Sequence, residues 1–134
     1  MKRAEIVFST REEYGLTRLT EKINSELKKM GAKEGVCNLF SPHATGVIVI
    51  LEDEPGLRRD FLRKARELFP PGAGYEHDRI DDNAHSHLMS TFLGESKTIP
   101  VQNNRLDLGT WQNVFWLETD GPRHERRVII SYWE

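Results

Sequence analysis

Residues 35–52 read GVCNLFSPHATGVIVILE, and the two halves of this stretch differ in pattern. Val47 to Leu51 is apolar at both parities, the mark of a strand covered on both faces rather than one with a solvent side. The preceding apolar residues form a second strand, broken near Ser41-Pro42 because proline has no N–H for a ladder bond. His43 lies at that break, at the mouth of the second strand.

On the N-terminal side, RAEIVFST (residues 3–10) reads as a first strand. Leu16, Leu19, Ile23, Leu27 and Met30 recur at spacings of three and four, which predicts an amphipathic helix from Leu16 to Met30, stopped by Gly31. On the C-terminal side, residues 52–69 predict a second helix. Asp53 or Glu54 caps it, Pro55 suits its first turn, and Leu57, Phe61, Leu62, Ala65 and Leu68 form its buried stripe. Pro70-Pro71-Gly72 ends it. Asp82 is the expected N-cap of a short helix from Asn83 to Leu93, closed by Gly94. The remainder is strand-like: residues 97–102, a turn at Asn103-Asn104, residues 105–118, a turn at Asp120-Gly121-Pro122, and residues 126–133.

Turns and short links join most of these strands, so the expected fold class is α+β. It is a single domain over residues 1–134 with a mainly antiparallel, sandwich-like sheet, two longer helices and one short one. A chain of 134 residues with 37% hydrophobic and 30% charged residues can bury a core without staples. A net charge of −2 gives no electrostatic case for nucleic acid or an anionic membrane surface. The longest apolar run is too short to span a bilayer and the N-terminus lacks a signal-peptide apolar region, so a cytoplasmic location is expected. The single cysteine, Cys37, excludes an intrachain disulfide, and its apolar neighbours predict a buried, inert thiol.

Residues 74–88, GYEHDRIDDNAHSHL, hold three of the five histidines. His77 and His87 are ten positions apart across a loop and a helix start, and His43 offers a third nitrogen. Three imidazoles with an open position suit a catalytic zinc site. His85 is set aside: on a helix it lies about 200° around the axis from His87. Against this reading, no compact metal motif is present, and histidines in polar loops are ordinarily solvated. Period-two alternation puts Gln112, Val114, Trp116 and Glu118 on one strand face, with Trp111, Asn113, Phe115 and Leu117 on the other. Gln112 and Glu118 among large apolar groups suit either a ligand or a subunit interface. Arg123, Arg126 and Arg127 suit a phosphate, although a solvated charge run has the same appearance.

Four stretches in order and spacing, SPHATGVIVILE, YEHDRIDDNAHSHLMSTFLG, IPVQNNRLDLGTWQ and DGPRHERRVIISYW, resemble the YjbQ-type proteins called the secondary thiamine-phosphate synthase family. The resemblance runs from about Gly35 to the C-terminus. It implies a small α+β domain that forms a homotrimer and has thiamine-phosphate synthase activity, which is secondary to another main role in one reading of the family. It implies His43, His87, Glu52 and Glu118 as catalytic residues, and His43, His77 and His87 as ligands of a divalent metal such as zinc or magnesium. Thr45, Asn83, Thr110, Gln112, Arg123 and Arg127 are the implied ligand-binding residues, and the implied partner is a small phosphorylated or anionic molecule. The alternative is a non-catalytic trimeric module that binds a metal or small anion. Two departures stand out: Leu51 where the family has Asn, and Ala44 where it has a hydroxyl residue. His43 and Glu52 are nine positions apart, about 30 Å along a regular strand. Without a sharp bend or bulge the two share a pocket only if a neighbouring subunit completes it; otherwise Glu52 serves only the positive end of the second helix.

Overall fold

The computed structural model describes residues 1–134. In chain order the elements are β1 (Lys2–Thr10), β2 (Gly15–Arg18), α1 (Thr20–Lys29), β3 (Glu34–Phe40), β4 (Val47–Glu52) and α2 (Pro55–Leu68). A 3-10 turn (Glu76–Arg79) follows, then α3 (Ala84–Leu93), β5 (Ser96–Gln102), β6 (Arg105–Leu106), β7 (Gln112–Glu118) and β8 (Arg123–Trp133). Two antiparallel sheets result, one of five strands in the order β1-β8-β3-β5-β6 and one of three in the order β2-β7-β4.

The three-stranded sheet is the middle layer, which is why β4 is apolar at both parities. Ile48, Val114 and Trp116 point into a core shared with Ile6, Leu39 and Ile130 of the larger sheet and with Ile23 and Leu27 of α1. Val47, Val49, Phe115 and Leu117 point the other way, against Ala65 of α2 and Met89 of α3. Each such side chain contributes about 1.5–3 kcal/mol when fully buried. The single α+β domain expected from the strand and turn pattern is the one observed.

Several local expectations are corrected. The first helix begins at Thr20, not Leu16. Leu16 instead sits on the short strand β2 opposite Leu117, and the Leu19 N–H donates to the Val114 carbonyl (2.8 Å), fixing the strand-to-helix corner. A two-turn apolar spacing cannot tell a helix from a strand that runs straight into one. α3 is as long as α1, ten residues each, so there is one long helix and two of equal length. Asp82 does not cap α3; Asn83 holds the N-cap position, and Asp78 Oδ1 accepts from the Ala84 N–H (3.1 Å) from the preceding turn. Glu54 caps α2 as one of the two expected candidates, its carboxylate accepting from the Gly56 and Leu57 N–H groups. Leu68 ends that helix exposed instead of buried, and Trp111 precedes β7, outside the ladder, and is exposed. Cys37 is fully buried, and burial pushes its thiol up to about 12.

The outer face of the five-stranded sheet has no covering layer. Val7, Val36, Phe40 and Trp133 alternate with the inward residues of β1, β3 and β8 and are exposed there.

Candidate functional site

The loop between β3 and β4 carries His43 and is pinned from three sides. The Ser41 N–H donates to the Glu95 carbonyl (2.9 Å) and the Ser41 hydroxyl to the Gly46 carbonyl (2.9 Å). The Gly46 N–H is shared between the hydroxyls of Ser90 on α3 (3.0 Å) and Thr119 beyond β7 (2.8 Å). Ser86 and Ser90, one helical turn apart and both buried, let α3 approach this closely. The His43 ring stands edge-on to Trp116, with centroids 5.7 Å apart.

One bond decides what His43 can do. The Arg127 backbone N–H donates to His43 Nε2 (2.9 Å), so Nε2 is the acceptor nitrogen and the neutral ring carries its proton on Nδ1. Burial, reinforced by the cations of Arg126 and Arg127, holds His43 below the usual histidine range. His87 lines the same cleft, of about 450 Å³, together with Ser90, Thr91 and Glu95.

His87 also lines a second hollow of about 340 Å³ with His77, Tyr75 and Leu88. The two rings meet edge to face with centroids 4.9 Å apart. Asn83 Nδ2 donates to Asp120 Oδ2 (2.9 Å), which turns its carbonyl oxygen toward His77 Nε2 (3.0 Å). His77 therefore donates through Nε2, and in the neutral ring Nδ1 keeps its lone pair. Asp120 is itself held by Arg123 (3.0 Å).

With this geometry in place, the relatives can be compared. The family model described as "UPF0047 protein YjbQ-like" matches residues 4–134. The chain belongs to the YjbQ-like UPF0047 family. A UPF0047 protein of Archaeoglobus fulgidus is 40% identical over 127 residues, covering 95% of this chain and 98% of that one. The crystal structure of a YbjQ-like protein of unknown function from Sulfolobus solfataricus superposes with a TM-score of 0.94 at 40% identity, covering 98% of this chain and 95% of that one. A hypothetical protein of Aeropyrum pernix gives a TM-score of 0.94 at 37% identity, with coverage of 99% and 98%. The YjbQ resemblance thus holds, whereas none of these descriptions names an activity.

For this YjbQ-like chain the structure divides the residues singled out from sequence. His43 and His87 share one cleft, and His77 stands behind His87. No three His, Cys, Asp or Glu side chains come close enough to hold a metal ion, and the lone pair of His43 Nε2 is already taken by Arg127. The three-histidine metal site is therefore not assembled within the chain. His85 is buried and lines neither hollow, in keeping with its helical angle from His87. Thr45 is buried and accepts from Arg126 (3.3 Å) instead of facing the cleft. Asn83 positions His77. Arg123, Arg126 and Arg127 pair with Asp120, Glu118 and Glu5; Arg126 is buried in its pair, whereas Arg123 and Arg127 stay solvent-accessible and line neither hollow. Glu118 is buried against Arg126 and is not a cleft residue. Glu52, Thr110 and Gln112 lie elsewhere: Glu52 pairs in register with Gln112 at the far end of β4. From Val47 to Glu52 that strand extends roughly 17 Å. Ser41, Ser90, Thr91, Glu95 and Trp116 were missed as site residues. The only sequence signal was the Ser86/Ser90 pair at helical spacing.

A pH dependence of stability follows. His85 too is held low, first by burial and then by Arg66, against the opposing charges of Asp78, Asp120 and Glu13. Unfolded, both His43 and His85 titrate near 6.5. Below that pH the unfolded chain takes up protons that the folded chain refuses, so stability falls as pH drops from 6.5 toward the lower folded values. The urea midpoint is expected to be lower at pH 5.5 than at pH 7.5, and the difference to shrink in the double variant His43→Asn/His85→Asn. A flat wild-type midpoint would contradict it.

Proposed function

We propose that this protein is a small-molecule enzyme whose working cleft lies between His43 and His87 and takes a phosphorylated or otherwise anionic substrate. The observation that carries this reading is the Arg127 N–H bond to His43 Nε2 (2.9 Å). It makes Nδ1–H of a neutral ring a fixed donor, the polarity that a substrate oxygen gaining negative charge requires. His87 shares the cleft and in this reading exchanges the proton, the work for which imidazole is suited.

The finer form of the proposal is the thiamine-phosphate synthase chemistry implied by the sequence resemblance. The thiazole nitrogen attacks the methylene carbon of the pyrimidine diphosphate, and a C–N bond forms. The C–O bond to diphosphate breaks, and the leaving group carries away the electron pair. His43 Nδ1–H donates to the developing charge and His87 protonates the departing oxygen. No step is routed through a metal. A bound zinc ion would use His77 and His87, nitrogen donors that suit zinc better than magnesium, and would complete its shell from outside the chain. The exposed Val7, Val36, Phe40 and Trp133 support a homotrimer assembled through the outer sheet face.

The test incubates the purified protein with hydroxymethylpyrimidine diphosphate and thiazole phosphate, with elemental analysis and sedimentation on the same sample. Product beyond one equivalent per subunit is expected, reduced about 10²–10⁴-fold in His87→Ala. Saturable substrate binding with no turnover would replace the enzyme by the binding module.

A further inference from the structure

A separate cleft of about 510 Å³ opens at the other end of β4 and β7, lined in part by Asn24, Arg105, Thr110, Gln112 and Asn113. Three of these residues are amides, and the oxygen of each is bonded within the chain. Asn24 Oδ1 accepts from the Leu106 N–H (2.8 Å), Gln112 Oε1 from the Gly109 N–H (2.9 Å) and Asn113 Oδ1 from the Thr20 hydroxyl (3.0 Å). The Thr20 hydroxyl also accepts from the Val114 N–H (2.9 Å) and gives its proton to Asn113 Oδ1. The two backbone N–H donors decide which end of Asn24 and of Gln112 is nitrogen, and Asn113 takes the corresponding orientation against Thr20. All three NH₂ groups are left without a partner in the chain. Arg105 likewise has no carboxylate partner, whereas Arg18 in the same wall is held by Glu21 (2.7 Å) and Asp53 (2.8 Å).

We infer that this cleft is an oxyanion site, binding a carboxylate or phosphate group of a small molecule through the NH₂ groups of Asn24, Gln112 and Asn113 and the guanidinium of Arg105. The donors are held in place before a ligand arrives, so little ordering is lost on binding. A cation would find the amide oxygens already committed. A sugar hydroxyl needs free acceptors beside free donors, and here the donors are in excess. Asp107 is the one lining carboxylate without a cationic partner, and it offsets Arg105, so recognition rests mainly on neutral N–H groups. This site is independent of the His43 cleft.

The test follows the side-chain NH₂ resonances of Asn24, Gln112 and Asn113 in isotopically labelled protein. The protein is titrated with inorganic phosphate and, separately, with acetate, at constant ionic strength set by chloride. Saturable shifts of all three amides with one shared Kd are expected for at least one probe, and the probe that binds names the oxyanion class. Asn113→Asp and Gln112→Glu keep the oxygen that the fold requires and replace the NH₂ donor by an anionic oxygen. Each should weaken binding at least tenfold, and His87→Ala should leave it unchanged. Gln112 is exposed, so its variant carries the test even if the Asn113 variant fails to fold. No saturation with either probe, or wild-type affinity in Gln112→Glu, would overturn the assignment.

Discussion

Glu118→Ala is expected to destabilise the fold by about 3–5 kcal/mol, the range for removing one partner of a buried ion pair. Glu118 and Arg126 are 1% and 3% exposed. The guanidinium meets both carboxylate oxygens, Nε to Oε1 at 2.8 Å and Nη2 to Oε2 at 2.5 Å. The Thr10 hydroxyl (2.8 Å), the Trp116 indole N–H (3.3 Å) and the Asp120 N–H (2.9 Å) also donate to the carboxylate. Alanine would leave a buried guanidinium with no counter-charge and three donors with no acceptor. Replacing both partners at once, as in Glu118→Leu/Arg126→Met, should recover much of the loss. Urea unfolding of Glu118→Leu, Arg126→Met and the double variant measures this. A coupling below about 1 kcal/mol would show that the pair is not held as described.

The same carboxylate has a pH signature. Burial pushes the Glu118 pKa up, but Arg126, the Asp120 N–H and the Thr10 hydroxyl together hold it below its ordinary 4.5. Its contribution is complete above about pH 4.5 and is lost as pH falls through the folded value. This loss begins near pH 4.5, whereas the loss set by His43 and His85 begins near pH 6.5.

Gly46→Ala is expected to cost about 3 kcal/mol and to displace His43. Gly46 has a φ of +91°, a region that costs an L-residue on the order of 1–3 kcal/mol. A Cβ there would sit 2.2 Å from Trp116 Cζ2, and Trp116 is fully buried and cannot yield freely. Overpacking of this kind adds about 1–3 kcal/mol. Gly46 also anchors the His43 loop through its N–H and carbonyl, so strain there reaches the cleft. A lowered thermal midpoint together with a shifted His43 imidazole resonance is the expected result. An unmoved His43 resonance would show that the loop is positioned without Gly46.

Much of the fold was legible because period-two and period-four apolar patterns report local geometry directly. β7 and the amphipathic α1 and α2 follow from such patterns, β4 from an apolar run at both parities, and the turn at Asn103-Asn104 and the glycine stops from the left-handed backbone that Asn and Gly adopt. The errors lie where two geometries share one pattern. Leu16 fits a helical stripe by spacing yet pairs with Leu117 in β2, and Asp82 has the chemistry of a cap that Asp78 supplies from the turn before.

The candidate site divides in the same way. The order of residues along the chain determined that His43 stands at a strand break and that His85 and His87 lie on different sides of α3; that no bend brings Glu52 back to His43 was decided by the regular pairing of β4 with β7. It could not determine partners. Glu118 looked free on a strand face, and only the packing of β7 against β8 brought it to Arg126. The tautomer of His43 depends on a backbone N–H 84 residues away. The open NH₂ groups of Asn24, Gln112 and Asn113 depend on donors from three different segments. Periodicity is a property of one strand or one helix and is written in its own residues. Hydrogen-bond satisfaction is a property of two segments at once, and only the tertiary structure decides which two meet.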